Sequence, residues 1–200
     1  MNNTLLQNCP PIILASNSPR RKSLLELIDL PVKVIASSVH EDFNINLKPT
    51  EFAKHYAHLK AQDIAEKHPN FLVIGADTIV VLDNEIIGKP TDEEDSKLML
   101  KKLSGRTHAV ITGVSLVWQD KNILDIFNKK TDVTFQELTD EQIQYYIENY
   151  HPLDKAGSYG IQDWFAVCVK KIDGCFYNVM GMPLSNFYNH LMKIINGINS

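Results

Sequence analysis

Short apolar runs alternate along this chain with amphipathic stretches of helical length, and this alternation constrains the fold more than any other feature. Runs of strand length occupy residues 12–15, 32–36, 71–82, 110–118 and 123–135. Helical stretches lie between or after most of these runs, which is typical of an α/β protein whose sheet is covered by helices. A chain of 200 residues can bury enough surface for one such domain without disulfides.

Capping residues and prolines predict where the helices begin. The predicted helix starts are Ser18-Pro19, Thr50, the acidic segment 92–95, the capping box Thr139–Gln142 and Pro183. The helix from Thr50 to about Lys67 carries an apolar stripe, and Lys60 falls inside that stripe. Near the carboxyl end, Asp173-Gly174 predicts a hairpin turn between strands over residues 164–172 and 175–179.

Charge and cysteine content exclude several classes of protein. The net charge of −4 argues against a strongly basic nucleic-acid-binding protein. Three cysteines without metal-ligand spacing indicate reduced thiols in a cytoplasmic protein. We find neither a signal-peptide pattern nor an apolar run near the roughly 20 residues that a membrane helix needs.

The segment from Leu14 to Lys22 joins a strand to a helix through a short polar turn, Ser16-Asn17-Ser18. Free backbone N–H groups at a helix start bind anions, and the guanidinium groups that follow match phosphate oxygens. The pattern therefore indicates a phosphate site, although a plain helix cap with solvated cations fits it equally well.

Asp77 lies within the apolar run 71–82, where a carboxylate is costly to bury unless it is paired, hydrogen-bonded or bound to a metal. A general base, a Mg²⁺ ligand and a residue capping its own strand end are three interpretations of this position. Cations at Lys60, Lys89 and Lys155, and a second acid at Glu41, are further candidates that a purely structural role would also explain.

Six ordered blocks of this sequence together resemble the Maf family of nucleoside triphosphate pyrophosphatases, and the resemblance spans nearly the whole chain. They are LASNSPRRKSLL at 14–25, GADTIV at 75–80, GKP at 88–90, LSGRTHAVITGV at 103–114, DKAGSYGIQ at 154–162 and NVMGMP at 178–183.

The resemblance implies a single α/β domain over residues 1–200, with residues 1–10 as an N-terminal extension. It implies a mixed central sheet flanked by helices, with two lobes and an intervening cleft, similar to inosine triphosphatases. The implied reaction cleaves a nucleoside triphosphate between its α and β phosphates with the help of a divalent cation, Mg²⁺ or Mn²⁺. House-cleaning of the nucleotide pool is the implied role.

The resemblance also implies roles for individual residues. Asp77 would be the proton acceptor that activates water, and Glu41 and Asp77 would lie near the metal. Arg21, Thr78 and Gln162 would govern the choice of substrate. The residues implied to bind the phosphates are Ser16, Ser18, Arg20, Lys22, Lys60, Lys89 and Lys155.

The block AGSYGIQ resembles the subgroup that prefers dTTP and UTP, and a glutamine amide suits the imide edge of thymine or uracil. Asp163 stands where the family usually has glycine, and Ser158 where alanine is common. Two alternatives stay open: a preference for another base, such as 7-methyl-GTP, and a nucleotide-binding regulator of cell division with little turnover.

The expected partner is therefore one small polyphosphate, with neither a nucleic-acid polymer nor a membrane. Six of the basic residues converge on one pocket in this interpretation, which leaves the rest of the surface acidic. The resemblance is also compatible with a homodimer.

Overall fold

The computed structural model describes residues 9–198, and seven strands within that range form one mixed β-sheet. The strands are β1 (Ile12–Leu14), β2 (Lys33–Val34), β3 (Leu72–Leu82), β4 (Glu85–Ile87), β5 (Thr107–Trp118), β6 (Ile123–Phe135) and β7 (Val169–Asp173). Their order is β2-β1-β3-β5-β6-β7, and β4 pairs with β3. β1 pairs in parallel with β2 and β3, whereas the β3–β4 and β6–β7 pairs are antiparallel.

Six α-helices accompany the sheet in the described range. They are α1 (Pro19–Glu26), α2 (Pro49–Ala65), α3 (Glu93–Leu103), α4 (Asp140–Tyr150), α5 (Phe176–Val179) and α6 (Leu184–Ile198). Short 3₁₀ turns occupy Gln119–Lys121, Pro152–Asp154, Ala156–Ser158 and Trp164–Cys168. The predicted α/β class, with a mixed sheet and flanking helices, is confirmed.

The chain divides into two units, and β3, β5 and β6 each contribute residues to both. The first unit comprises residues up to Asp77, Thr112–Lys129 and residues from Gly181 onward. In it, β1, α2, β3 and β5 share a core of Ile13, Ala15, Ala61, Ile64, Ala65, Val73 and Val117. The second unit, Thr78–Ile111 and Lys130–Met180, has an aromatic core that includes Phe135, Tyr146, Tyr159 and Phe165.

Two glycines let α2 approach the sheet closely. A Cβ at Gly75 of β3 would lie 2.1 Å from the carbonyl oxygen of Ala57, and one at Gly113 of β5 would lie 2.2 Å from that of Ala53. No side chain fits at such distances, so α2 packs directly on strand backbone. All seven residues of the predicted apolar stripe of α2 are buried. This packing sets the position of Lys60 relative to β3.

Most predicted elements are confirmed, but the predicted start of α2 and the predicted length of β2 are wrong. Thr50 does not cap α2, because Pro49 already occupies its first turn and Lys48 is the cap residue. β2 is limited to Lys33–Val34, shorter than the predicted strand. The capping box at Thr139 and Gln142 is present as predicted.

The hairpin predicted at Asp173-Gly174 is absent from the described structure. The side chain of Asp163 accepts from the backbone N–H of Phe165 and so starts a 3₁₀ turn where a strand was predicted. After Gly174, Cys175 bonds to the hydroxyl of Thr131 through both its N–H and its carbonyl oxygen. Those bonds replace strand pairing, and the chain turns into α5.

Within residues 9–198, no helix has both the length and the apolar character needed to cross a bilayer. The three cysteines are free, as predicted. Most of the predicted N-terminal extension, residues 1–10, lies outside the described residues.

Candidate active site

The first unit brings Lys60 to a carboxylate pair. The Lys60 ammonium donates to Asp77 Oδ1 over 2.7 Å and also to Glu41 Oε1. Lys60 reaches this point from the apolar stripe of α2, and Asp77 lies midway along β3. The side chains of Lys60 and Asp77 are only 12% and 7% exposed, so this ion pair is largely removed from water.

Asp77 is a buried carboxylate that is only half satisfied. Its second oxygen, Oδ2, is buried and accepts no hydrogen bond from any described residue. Burial raises the pKa of Asp77 above the usual range for a carboxyl group, while the positive charges of Lys60 and Arg21 act in the opposite direction. An unsatisfied buried oxygen of this kind calls for an explanation, and a ligand or water that binds during function is one.

Tyr56 holds the segment that carries Glu41. Its hydroxyl accepts from the backbone N–H of Asp42 over 2.6 Å and donates to the carbonyl oxygen of the same residue over 3.2 Å. Phe43 stacks on Phe52 with a ring separation of 5.2 Å. The sequence assigns Tyr56 only to the apolar stripe, because nothing in it shows where the hydroxyl points.

The predicted strand–turn–helix at residues 14–22 is present, and Arg21 ties it to a distant segment. Arg21 donates from Nη1 to Ser16 Oγ over 3.1 Å and from Nε to the carbonyl oxygen of Gly181 over 3.0 Å. The backbone N–H of Ser18 also donates to Ser16 Oγ. Burial lowers the pKa of Arg21, and the negative charge of Asp77 partly offsets that effect. Gly181 is a site contact that the sequence did not predict.

The remaining candidates of this segment are less enclosed. Arg20 is half-buried in the first turn of α1. Lys22 is exposed, and its ammonium lies 3.2 Å from Glu26 one turn later. Ser18 is the cap residue of α1, but its side chain makes no capping hydrogen bond. Helix starts in general favour anions, because their N–H groups and the positive end of the helix dipole point toward the ligand.

Four of the predicted site residues belong to the second unit: Thr78, Lys89, Lys155 and Gln162. The N–H of Gly157 donates to the carbonyl oxygen of Gly88 over 2.9 Å, which joins the loop of Lys155 to the turn of Lys89. The Lys155 ammonium lies 3.0 Å from Asp154. Lys89 and Gln162 are exposed, and Thr78 is half-buried.

The carboxylates around Lys60 form a partial donor set for a divalent cation. Residues 9–198 contain no group of three or more His, Cys, Asp or Glu side chains arranged to hold a metal. Glu41 and Asp77 do supply two carboxylates, both of which contact the Lys60 ammonium. Mg²⁺ commonly takes one or two protein carboxylates and completes its shell with water and substrate phosphates. The residues therefore fit such an ion in the presence of a polyphosphate.

Comparison with known proteins identifies one family and several relatives that share one name. The Maf-like protein family matches this chain over residues 11–194. A dTTP/UTP pyrophosphatase of Bacillus velezensis is 49% identical over 174 residues, covering 87% of this chain and 91% of that protein. A dTTP/UTP pyrophosphatase of Bacillus mycoides is 46% identical over 182 residues, covering 91% of this chain and 94% of that protein.

Among solved structures, this chain is similar to the Staphylococcus aureus Ham1 protein. The match covers 62% of this chain and 71% of the Ham1 chain. The two chains are 19% identical, with a TM-score of 0.45.

Proposed function

The chain belongs to the Maf family, and from that premise we propose that it hydrolyses nucleoside triphosphates, dTTP and UTP in preference to others, to the monophosphate and pyrophosphate. The observation that carries this proposal is the buried Asp77, one of whose oxygens is held by Lys60 while the other is unsatisfied. The enzymatic class is that of its relatives, which are dTTP/UTP pyrophosphatases.

Asp77 is the proton acceptor in this proposal. Lys60 holds Oδ1, so Oδ2 is the oxygen that takes a proton from the attacking water. A pKa raised by burial makes the carboxylate a stronger base, and a positioned base contributes about 10²–10⁴-fold to a rate. Lys60 keeps the carboxylate oriented and ionised until the proton moves.

We assign phosphate binding to the strand–turn–helix at residues 14–22 and to lysines elsewhere in the chain. Ser16, Ser18 and the first turn of α1 offer hydroxyl and N–H donors, and Arg20, Arg21 and Lys22 add positive charge. Lys60, Lys89 and Lys155 are the further lysines of the proposed phosphate-binding set. Hydrolysis of a phosphoanhydride needs neutralisation of charge and an oriented water more than it needs covalent help.

A divalent cation, Mg²⁺ or Mn²⁺, belongs to the proposal, with Glu41 and Asp77 as the protein carboxylates that would hold it. When bound, the cation would neutralise charge that develops on the phosphate oxygens. Because Lys60 already contacts both carboxylates, it also offsets part of their negative charge before substrate arrives.

Arg21, Thr78 and Gln162 are the proposed determinants of base preference. The Gln162 amide can donate to one edge atom of thymine or uracil and accept from another. We further propose that the chain forms one catalytic domain, acts in the cytoplasm on the nucleotide pool and assembles as a homodimer.

The test is a panel of the common nucleoside triphosphates, with 7-methyl-GTP and other modified nucleotides, in the presence of Mg²⁺. We expect dTTP and UTP to give the highest kcat/KM, and pyrophosphate to be the inorganic product. Release of inorganic phosphate would indicate a phosphatase, and tight binding without turnover would indicate a nucleotide-binding regulator; either result would reject the proposal. A matching Gln162→Ala variant should change the ranking of the substrates without changing the thermal stability.

A further inference from the structure

The hydroxyl of Tyr146 connects α4 to the loop of residues 155–162. Tyr146 is fully buried. Its hydroxyl accepts from the backbone N–H of Gly160 over 2.9 Å and donates to Asp163 Oδ2 over 3.1 Å. One atom therefore binds two points of the chain that lie three residues apart.

Both carboxylate oxygens of Asp163 accept hydrogen bonds. While Oδ2 accepts from Tyr146, Oδ1 accepts from the backbone N–H of Phe165 over 3.1 Å and starts the 3₁₀ turn Trp164–Cys168. An aspartate beside a substrate-selecting loop could in principle repel an anionic ligand or contact the base. Here both oxygens already accept hydrogen bonds, from Tyr146 and from Phe165, so the contribution of Asp163 is to the shape of the loop.

Gln162 lies directly between these attachment points. Gly160 is bound on one side and Asp163 on the other, yet the Gln162 side chain is exposed. A backbone held at both ends presents its outward side chain in one direction, whereas a loose loop would spread that side chain over many. Binding then loses less conformational entropy, which is the benefit of preorganisation.

The close packing at Gly160 extends this arrangement to Lys155. A Cβ at Gly160 would lie 2.5 Å from Asp163 Oδ2 and 3.0 Å from Lys155 Cε. The Lys155 side chain and the Asp163 carboxylate therefore flank the same glycine. A displaced Asp163 would alter the surroundings of Lys155 as well as those of Gln162.

The ring of Tyr146 is buried among other aromatic rings. Its ring packs against those of Tyr150, Trp164 and Phe165, with centroid separations of 4.8–6.3 Å. Burial raises the pKa of Tyr146 far above its usual range, so the hydroxyl keeps its proton and can donate to Asp163 at all physiological pH values.

We propose that Tyr146 and Asp163 are positioning residues for substrate choice: together they clamp residues 160–163 and so orient Gln162. This inference rests on the proposed function, because it assigns to Gln162 a contact with the base. The clamp itself is a property of the free protein and can be measured without substrate.

The central variant is Tyr146→Phe, which removes the hydroxyl and leaves the ring. Tyr150→Phe is the matched control, because it removes a hydroxyl from the same aromatic cluster without touching the loop. Two further variants test the carboxylate oxygens of Asp163 as hydrogen-bond acceptors. Asp163→Gly removes both acceptor oxygens, and Asp163→Asn retains one.

The first readout is amide hydrogen exchange of the free protein. We expect Tyr146→Phe and Asp163→Gly to accelerate exchange over residues 157–165 and to leave α2 unchanged, whereas Tyr150→Phe behaves like the wild type. Wild-type exchange in residues 157–165 of both variants would overturn the clamp, whatever the activity of the protein.

The second readout is the ratio of kcat/KM for dTTP to that for GTP. Losing the two hydrogen bonds of this hydroxyl should lower the ratio by about three- to tenfold in Tyr146→Phe, and Asp163→Asn should recover part of the loss seen in Asp163→Gly. Equal losses for both nucleotides would reduce the clamp to a purely structural role and overturn the proposal. If the wild type hydrolyses no nucleoside triphosphate, the proposed function fails, and the exchange data alone decide the clamp.

Discussion

The ammonium of Lys60 donates to Oδ1 of Asp77 over 2.7 Å, and the other oxygen of that carboxylate lies buried without a hydrogen bond from residues 9–198. Lys60 thus turns a costly buried charge into an oriented base. The arrangement depends on α2 lying against the sheet closely enough for its lysine to reach β3.

Replacing Lys60 by methionine should destabilise the protein. The substitution keeps the length of the side chain but leaves Glu41 and Asp77 without their shared cation, and removing one partner of a buried ion pair costs about 3 kcal/mol or more. The loss of stability is measured as the difference in the free energy of unfolding between the wild type and the variant, in urea at pH 8. Lys54→Met is the control on the same helix: its partner Glu51 is 54% exposed, so a loss under about 1 kcal/mol is expected. Equal losses in both variants would show that the pair at Lys60 is no different from a surface ion pair.

Gly75→Ala should disrupt the contact between α2 and β3. The new methyl group would meet the Ala57 carbonyl oxygen at 2.1 Å, and backbone cannot yield as the end of a side chain can. Overpacking usually costs about 1–3 kcal/mol of stability. We expect Gly75→Ala to lose an amount at or above the upper end of that range. Gly197→Ala in α6 is the counterpart, since a methyl group there would have no neighbouring atom within 4 Å and alanine favours a helix. Thermal unfolding of both variants checks the prediction, and an unchanged Tm for Gly75→Ala would contradict the close packing.

His108 should make the stability of the second unit sensitive to acid. It is buried against Phe135, its Nε2 lies 2.9 Å from the Tyr159 hydroxyl, and burial lowers its pKa to about 4. Between an unfolded value of about 6.5 and that folded value, the unfolded chain binds the extra proton, so stability falls as the pH drops through this window. The full shift corresponds to about 3 kcal/mol.

The measurement compares unfolding free energies of the wild type and His108→Gln at pH 8 and pH 5. Glutamine can still reach Tyr159 but does not titrate, so the gap between the two proteins should move in favour of the variant as the pH falls. A gap that stays constant over this range would exclude His108 as the source of acid sensitivity.

The elements that the sequence predicts well are those whose information is local. The apolar stripe of α2 and the capping box at Thr139 depend on residues a few positions apart, and both are present. The strand predicted after Gly174 is wrong because a distant side chain, Thr131, takes the hydrogen bonds that a hairpin would have used. Tertiary contacts of this kind leave no local signal.

The same distinction applies to the candidate site. The apolar surroundings of Asp77 and Lys60 single them out in the sequence, since a charge in such a place needs a partner. Their mutual contact, the anchoring of the Glu41 segment by Tyr56 and the tie from Arg21 to Gly181 depend on how α1, α2 and β3 pack. Those contacts emerge only from the three-dimensional structure.

The most direct test of the account is the product analysis of dTTP hydrolysis by the wild type and by Asp77→Asn, combined with dTTP binding to both proteins. The wild type should release dTMP and pyrophosphate in the presence of Mg²⁺. The asparagine variant should bind dTTP with similar affinity but lose about 10²–10⁴-fold in kcat, because its amide cannot accept the proton of the attacking water. Full activity of Asp77→Asn would contradict the assignment of Asp77 as the base.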